Sequence, residues 1–265
     1  MERSNKKTIR IGIHQPGYHR YCGYFYKMLK SDLFISLDTV QYVPREWQNR
    51  QIFCDGSGSK WLSVPVNRGR DPIKDKKIVD ANVIKNHWEY IKYIYRKSPF
   101  FDDYCGSLEN IYLHKKWEYL NDLCDALILL AKDILGIKTK YVRDSENGER
   151  STNTRKASAL IDSIKRSKDV ADYDEVIYLP RNYPIPEDFY LNQRFDGGDI
   201  AEIDKFAQAG IRVQTYDFCH PVYRQFQYPK GTQFIPNLSV YDLIFNCGNN
   251  SRMILESGGN HEYRD

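Results

Sequence analysis

The chain contains no run of about 18 apolar residues, the length a helix needs to cross a bilayer, so membrane insertion is not expected. It also lacks paired cysteines. Cys22, Cys54, Cys105, Cys124, Cys219 and Cys247 form no C-x-x-C pair and no metal-like spacing, which reads as six free thiols in a reducing compartment and predicts no metal site. Strong charge of one sign is missing. With 39 basic against 35 acidic residues the formal charge is only +4 over 265 residues, too little to predict nucleic-acid binding. The opening "MERSNKKTIRIGI" has neither the apolar stretch nor the small-residue cleavage site of a secretory signal, and the expected location is the cytoplasm. No G-x-S-x-G elbow, Walker loop or G-x-G-x-x-G fingerprint occurs, which argues against a serine hydrolase and against the common nucleotide-binding loops.

Aromatic residues are plentiful, with 21 tyrosines among them; tyrosine couples apolar area to a hydroxyl and serves pockets as well as cores. The patterning alternates. "TIRIGIH" (8–14) and "DLFISLD" (32–38) are β-rich runs separated by "YFYKMLKS", whose apolar residues recur at helical spacing. "QNRQIFCDGSGSKWLSVPV" reads as a hairpin around Asp55-Gly56-Ser57-Gly58. From about 84 to 136 the pattern is helical, with Leu120, Leu123, Cys124, Leu127, Leu130 and Ile134 on one stripe ended by Gly136. "IKTKYVRD", "DEVIYLP" and "IRVQTYDF" are further strands, "STNTRKASALIDSIKRS" and "DIAEIDKFAQAG" helices, and Ser239 to about Asn246 a closing helix. This order predicts an α/β fold: a largely parallel, Rossmann-like sheet flanked by helices, as one domain over 1–248 with a helical insertion at 84–136 and a mobile tail over 249–265.

Ligands of such sheets bind beyond the carboxyl ends of the strands. That rule places His14-Gln15-Pro16 at the end of the first strand, Asp38 with Gln41 and Tyr42 at the end of the second, and His220 after "IRVQTYDF". His14 and His220 are the candidate general bases, because imidazole titrates near neutrality, and Asp38 is placed to orient either. Arg50 offers a bidentate fork for a carboxylate or phosphate, Trp47 a stacking face, and Asn49 an amide for sugar hydroxyls. A structural reading makes Trp47 a core anchor and Arg50 solvent-facing. The loop "HQPGYHRYCGYF" suggests a phosphate cradle, with Gly17 and Gly23 allowing close approach and the amides of residues 23–25 opening a helix. Its spacing is similar to the H-x-G-H loop of the nucleotidylyltransferase and pantothenate-synthetase superfamily, with Tyr21 and Tyr24 in place of the histidines. A metal held by His14, Asp38 and His220 would need long-range convergence without local spacing to support it. A nucleophilic Cys22 or Cys219 beside His220 is a further alternative.

Together, "IHQPGYHRYCGYFYKMLKSDLFISLDTVQY", "WQNRQI" with "WLSVPV", and "HPVYRQ" with "FIPNLSVYDLIFNCG" resemble the WbqC-like protein family over roughly residues 9–248. The resemblance implies a role in O-antigen and other surface-polysaccharide biosynthesis, with a glycine or aminoacyl transferase activity suggested for the family. It marks as functional His14, Gln15, Tyr18, Gly23, Tyr24, Asp38, Gln41, Tyr42, Trp47, Asn49, Arg50, Lys156, His220, Tyr223, Gln225, Asp242 and Asn246. Two departures stand out: Tyr18-His19-Arg20 where the family usually reads tyrosine, any residue, proline, and "PRNYPIPEDFYLNQRFDGGD" in place of a Gly/Ser-rich turn.

The resulting expectation is an enzyme that transfers an acyl or aminoacyl group from a small-molecule donor to an amino sugar or related polar acceptor. His14 or His220 would deprotonate the amine, while loop amides and Arg50 stabilise negative charge. The cofactor is left open: ATP with Mg²⁺ if the nucleotide-loop likeness holds, a thioester or aminoacyl donor otherwise. The rival expectation is a noncatalytic carbohydrate- or nucleotide-binding module, and a nucleic-acid binder is the more distant one.

Overall fold

A computed structural model describes residues 6–55, 58–148, 157–180, 203–216 and 218–258. β1 (Thr8–His14) buries Ile9, Ile11 and Ile13 and lies at the centre of a five-stranded parallel sheet. Beside it run β2 (Leu33–Ser36) and then β5 (Lys140–Arg143); on its other side run β6 (Glu175–Leu179) and β7 (Ile211–Val213), giving the order β5-β2-β1-β6-β7. Strands this apolar need cover on both faces, which parallel sheets obtain from crossover helices. The chain builds outward from β1 in one direction and later returns to its opposite side, so the topological switch point lies between β1 and β6.

α1 (Cys22–Leu29) connects β1 to β2 and is buried over seven of its eight residues. The link from β2 to β5 carries the antiparallel hairpin β3 (Arg50–Cys54) and β4 (Ser59–Ser63), then α2 (Asn82–Tyr95), α3 (Phe101–Glu109) and α4 (Leu120–Ile134). A single π-helical turn, Asn110–His114, continues α3. α4 buries Leu120, Leu123, Cys124 and Leu127, as the stripe predicts, and stops at Gly136, whose φ of 63° is the left-handed conformation that glycine adopts without penalty. Trp88, Phe101, Tyr95, Phe245 and Tyr241 pack α2, α3 and α7 (Val240–Cys247) into one aromatic core. α5 (Ala157–Arg166) precedes β6, and α6 (Ile203–Gln208) precedes β7.

Two expectations are corrected. β7 ends at Val213, where Gln214 N–H makes its last ladder-like bond to the Tyr178 carbonyl (3.0 Å). His220 therefore lies seven residues past a short edge strand rather than at a strand end. The stretch expected as a mobile tail from Asn249 is helical over Ser251–Ser257, here α8, with Ser251 and Leu255 buried. Leu255 supplies the apolar anchor, and the Gly258 carbonyl accepts the Cys219 N–H at 2.8 Å.

Candidate functional site at the strand ends

Parallel pairing sets His14 opposite Ser36, and Leu37 N–H donates to the His14 carbonyl at 2.9 Å. His14 and Asp38 thus stand at the carboxyl ends of adjacent strands. The His14 ring packs edge-on to Tyr24 at 5.2 Å, and its Nδ1 lies 3.1 Å from the Gln15 carbonyl. A carbonyl only accepts, so this bond places the proton on Nδ1 and the lone pair on Nε2. The loop is braced from within: Arg20 Nη2 donates to the carbonyls of Gln15 (2.6 Å) and Pro16 (2.9 Å). Gln48 Nε2 donates to Gln15 Oε1 at 2.8 Å, while Gln48 Oε1 accepts from Val43 N–H at 2.9 Å.

Asp38 does not reach out to orient an imidazole. It is fully buried and accepts the backbone N–H (3.0 Å) and hydroxyl (2.6 Å) of Ser145, capping the turn at Asp144–Asn147. Burial pushes its carboxyl up, and the two Ser145 bonds pull it back. At the end of β5, Arg143 donates from Nε to Asp125 (2.6 Å) and from Nη2 to Asp122 (2.9 Å). Burial raises the Asp125 carboxyl to about 6 against the pull of Arg143 and Tyr141. Asp144, also fully buried, takes Arg166 Nη2 at 2.8 Å and the Thr39 hydroxyl.

The phosphate-cradle expectation fails on packing. The first turn of α1 is covered: Tyr21 bridges Ser239, Val240 N–H donates to the Arg20 carbonyl, and Cys22 and Tyr24 are 0% exposed. A Cβ on Gly23 would come within 2.8 Å of the Tyr21 ring and 3.2 Å of Phe218, so this glycine is present for close packing rather than for anion approach. Gly17 likewise faces the Trp47 carbonyl and the Arg20 guanidinium. Tyr18 is buried, with its hydroxyl 3.0 Å from His87 Nδ1 and 2.7 Å from the Tyr112 hydroxyl.

From the segment after β2, Gln41 forms a bridge to Pro72, and Tyr42 is buried with Lys76 Nζ over its ring at 5.1 Å. Asn49 donates to the Val64 carbonyl at 2.8 Å. Trp47 meets Trp61 with ring centres 5.0 Å apart; Arg50 lies 4.0 Å over Trp61 and donates to the Arg45 carbonyl. Trp61 is 41% exposed, so this group forms an open platform, neither the core anchor nor the solvated arginine of the structural alternative.

His220, Tyr223, Gln225, Asp242 and Asn246 form a separate cluster across α1: Tyr24 packs on His14, whereas Gly23 and Tyr26 face Phe218, next to His220. Asp242, at 0% exposure, accepts Tyr223 (2.7 Å), Gln225 (2.9 Å) and Gln227. Burial pushes its carboxyl up while these donors lower it. Asn246 accepts Phe226 N–H at 2.8 Å and donates to Gln227 at 3.0 Å. The cluster ties residues 223–235 to α7. His14 packs on Tyr24 and bonds Gln15, whereas His220 packs on Phe218, Tyr223 and Phe234.

The family model for the WbqC-like protein family matches residues 15–254. The chain belongs to that family. This WbqC-like chain is also 26% identical over 242 residues to the uncharacterized protein Rv1507c of Mycobacterium tuberculosis, a match covering 90% of this chain and 94% of the relative. No solved structure matches it.

Several residues that brace the strand ends lie outside the sequence expectation. Arg143, Asp144 and Ser145 end β5, and the strand-end rule that selected His14 and Asp38 would have found them. Gln48 lies within "WQNRQI", and Gln227 is two residues past "HPVYRQ". Asp125, on the α4 stripe, had no signal beyond a carboxylate on an apolar helix face. Lys156 lies outside the described residues, as do residues 56–57 and 181–202. Among the described residues no three His, Cys, Asp or Glu side chains group as a metal ion requires, and no helix is long and apolar enough to cross a membrane.

Proposed function

We propose that the protein transfers an acyl or aminoacyl group to the amine of an amino sugar or a related polar acceptor in surface-glycan biosynthesis, with His14 as general base. The observation that carries this reading is the His14 imidazole, half-buried beside the switch point with Nδ1–H committed to the Gln15 carbonyl, which leaves the lone pair on Nε2. Nε2 would take the amine proton as the nitrogen–carbonyl bond forms and the donor's carbonyl–heteroatom bond breaks, then return it to the departing group. Arg20, buried and fixed on the Gln15 and Pro16 carbonyls, braces the loop that presents His14. Gln15, half-buried and oriented by the buried Gln48 amide, offers its own amide N–H to a sugar hydroxyl. His220 is assigned no part in this step, because it belongs to the cluster across α1.

The residues expected to hold ATP do not fit it, since the α1 amides are covered, and no step is routed through a nucleotide. The test is a transfer assay with acyl-CoA and aminoacyl donors against a panel of amino sugars, read by mass spectrometry. Wild type should yield the N-acylated sugar and His14→Ala should lose it; full turnover by His14→Ala removes His14 as the base. The open platform of Trp47, Trp61 and Arg50 favours the second reading, a noncatalytic carbohydrate-binding module. On that reading no donor is turned over, while Trp61→Ala weakens sugar binding.

A further inference from the structure

The α7 cluster borders an open cleft of about 520 Å³, within the size range of small-ligand sites. Its walls include Tyr223, Tyr228 and Phe234, and its charged lining residues are Arg224 and Lys230, both exposed, with no carboxylate among the lining side chains. The floor is fixed. Tyr223 and Gln225 are held by Asp242, Gln225 also clasps Ile235 through N–H (2.9 Å) and carbonyl (2.9 Å), and the Tyr228 hydroxyl donates to the Cys54 carbonyl at 2.9 Å. These bonds order the ring faces before any ligand arrives, which lowers the entropic cost of binding.

His220 packs behind two of these walls, 5.4 Å from the Phe234 ring and 6.4 Å from Tyr223. Its Nδ1 is 2.9 Å from the Pro221 carbonyl and so carries the proton. Its Nε2 is then a bare acceptor, buried with no hydrogen-bond partner among the described residues. The His220 ring thus backs the Tyr223 and Phe234 faces without lining the cleft itself.

From these features we infer that the cleft is a second ligand site for a phosphorylated sugar: the phosphate on Arg224 and Lys230, and a ring face against Tyr223 and Phe234. Aromatic faces suit the C–H faces of a sugar ring, and paired cations select the phosphate over neutral sugars. The phosphate could belong to a sugar monophosphate or to a nucleoside diphosphate sugar; both present the same chemistry to the cleft. This inference is independent of the transferase reading, because it uses none of that reading's residues.

Titration calorimetry on the full chain tests it with four probes: a hexose 1-phosphate, a nucleoside diphosphate hexose, the nucleoside diphosphate alone and the neutral hexose. Saturable binding of either sugar phosphate is expected, with the neutral hexose weaker by roughly tenfold or more, as loss of charge-assisted bonds implies. Preference between the first two identifies the source of the phosphate. The surface double variant Arg224→Ala/Lys230→Ala should lose a similar factor while keeping the wild-type melting temperature. His14→Ala should bind as wild type. Absence of binding by both sugar phosphates at millimolar concentration, equal binding by the double variant, or binding of the nucleoside diphosphate as tight as that of its sugar conjugate would each overturn the proposal. Loss of transfer activity in His14→Ala with sugar-phosphate binding retained would separate the two sites.

Discussion

Acidification from pH 7 to pH 5 should destabilise the fold through two buried histidines that neither proposal uses. His19 and His87 are 1% and 6% exposed. They join one buried chain of bonds: His19 Nδ1 to the Ser239 hydroxyl at 3.0 Å, His19 Nε2 to the Tyr112 hydroxyl, and Tyr18 between Tyr112 and His87. Burial lowers His19 from 6.5 to about 3 and His87 from 6.5 to about 4. Both folded values lie below the unfolded one, so the unfolded chain binds protons first and stability falls as pH drops below 6.5. At pH 5 both rings remain neutral in the fold, whereas unfolding protonates each across about 1.5 pH units, or about 2 kcal/mol per histidine at roughly 1.4 kcal/mol per unit. The pair therefore costs about 4 kcal/mol, a large share of a typical domain's stability. Asp125, Asp38 and Asp242, raised by burial, act in the opposite sense on acidification, so the histidine contribution must be read as a difference. Urea unfolding at pH 7 and pH 5 of wild type and of His87→Gln, which keeps a polar partner for Tyr18, isolates it. The variant's pH-dependent loss should be smaller by about 2 kcal/mol. An unchanged loss in the variant, or an imidazole resonance of either residue titrating above pH 6 in the folded protein, would refute the assignment.

Gly23→Ala places a methyl against Tyr21 and Phe218 and should lower stability by about 1–3 kcal/mol in the same unfolding assay, with the fold retained by circular dichroism. Arg166→Met leaves the fully buried Asp144 with the Thr39 hydroxyl but without its guanidinium, and should cost roughly 3 kcal/mol, more than removal of an exposed pair such as Lys77–Glu118 by Lys77→Ala. Asp242→Ala strips Tyr223, Gln225 and Gln227 of a shared acceptor; protease nicking within residues 223–235 should become faster while the hairpin and sheet remain protected in hydrogen exchange.

The sheet was legible because its strands are short, apolar and separated by recognisable helices, and because Gly136 and Ser239 are ordinary helix punctuation. β7 is shorter than its composition suggests: "IRVQTYDF" has strand composition throughout, yet an edge strand of three residues needs only one neighbour's ladder, and the strand ends at Val213. Individual site residues were legible in type but less so in role. Asp38 looked like an orienter of imidazole since strand-end position is visible in sequence, whereas its true partner, Ser145, is 107 residues away. Tyr18 and Gly23 looked like ligand contacts because nothing local in "HQPGYHRYCGYF" reveals that Tyr112, Phe218 and Ser239 close over it.

That closure explains how His19 and Arg20 are accommodated in the loop. His19 adopts φ 52°, a left-handed conformation unfavourable for a residue with a side chain. The cost is offset by the bonds it gains: Ser239 and Tyr112 on its ring, and the Gln51 amide on its carbonyl at 2.7 Å. Arg20 then turns back onto Gln15 and Pro16, so its charge is spent bracing the very loop that presents His14. The basic pair thus gives the loop no anion-binding surface. It links α7, the π-helical turn and β3 to the end of β1, and the position of the candidate base depends on contacts made by residues spread from Gln51 to Ser239.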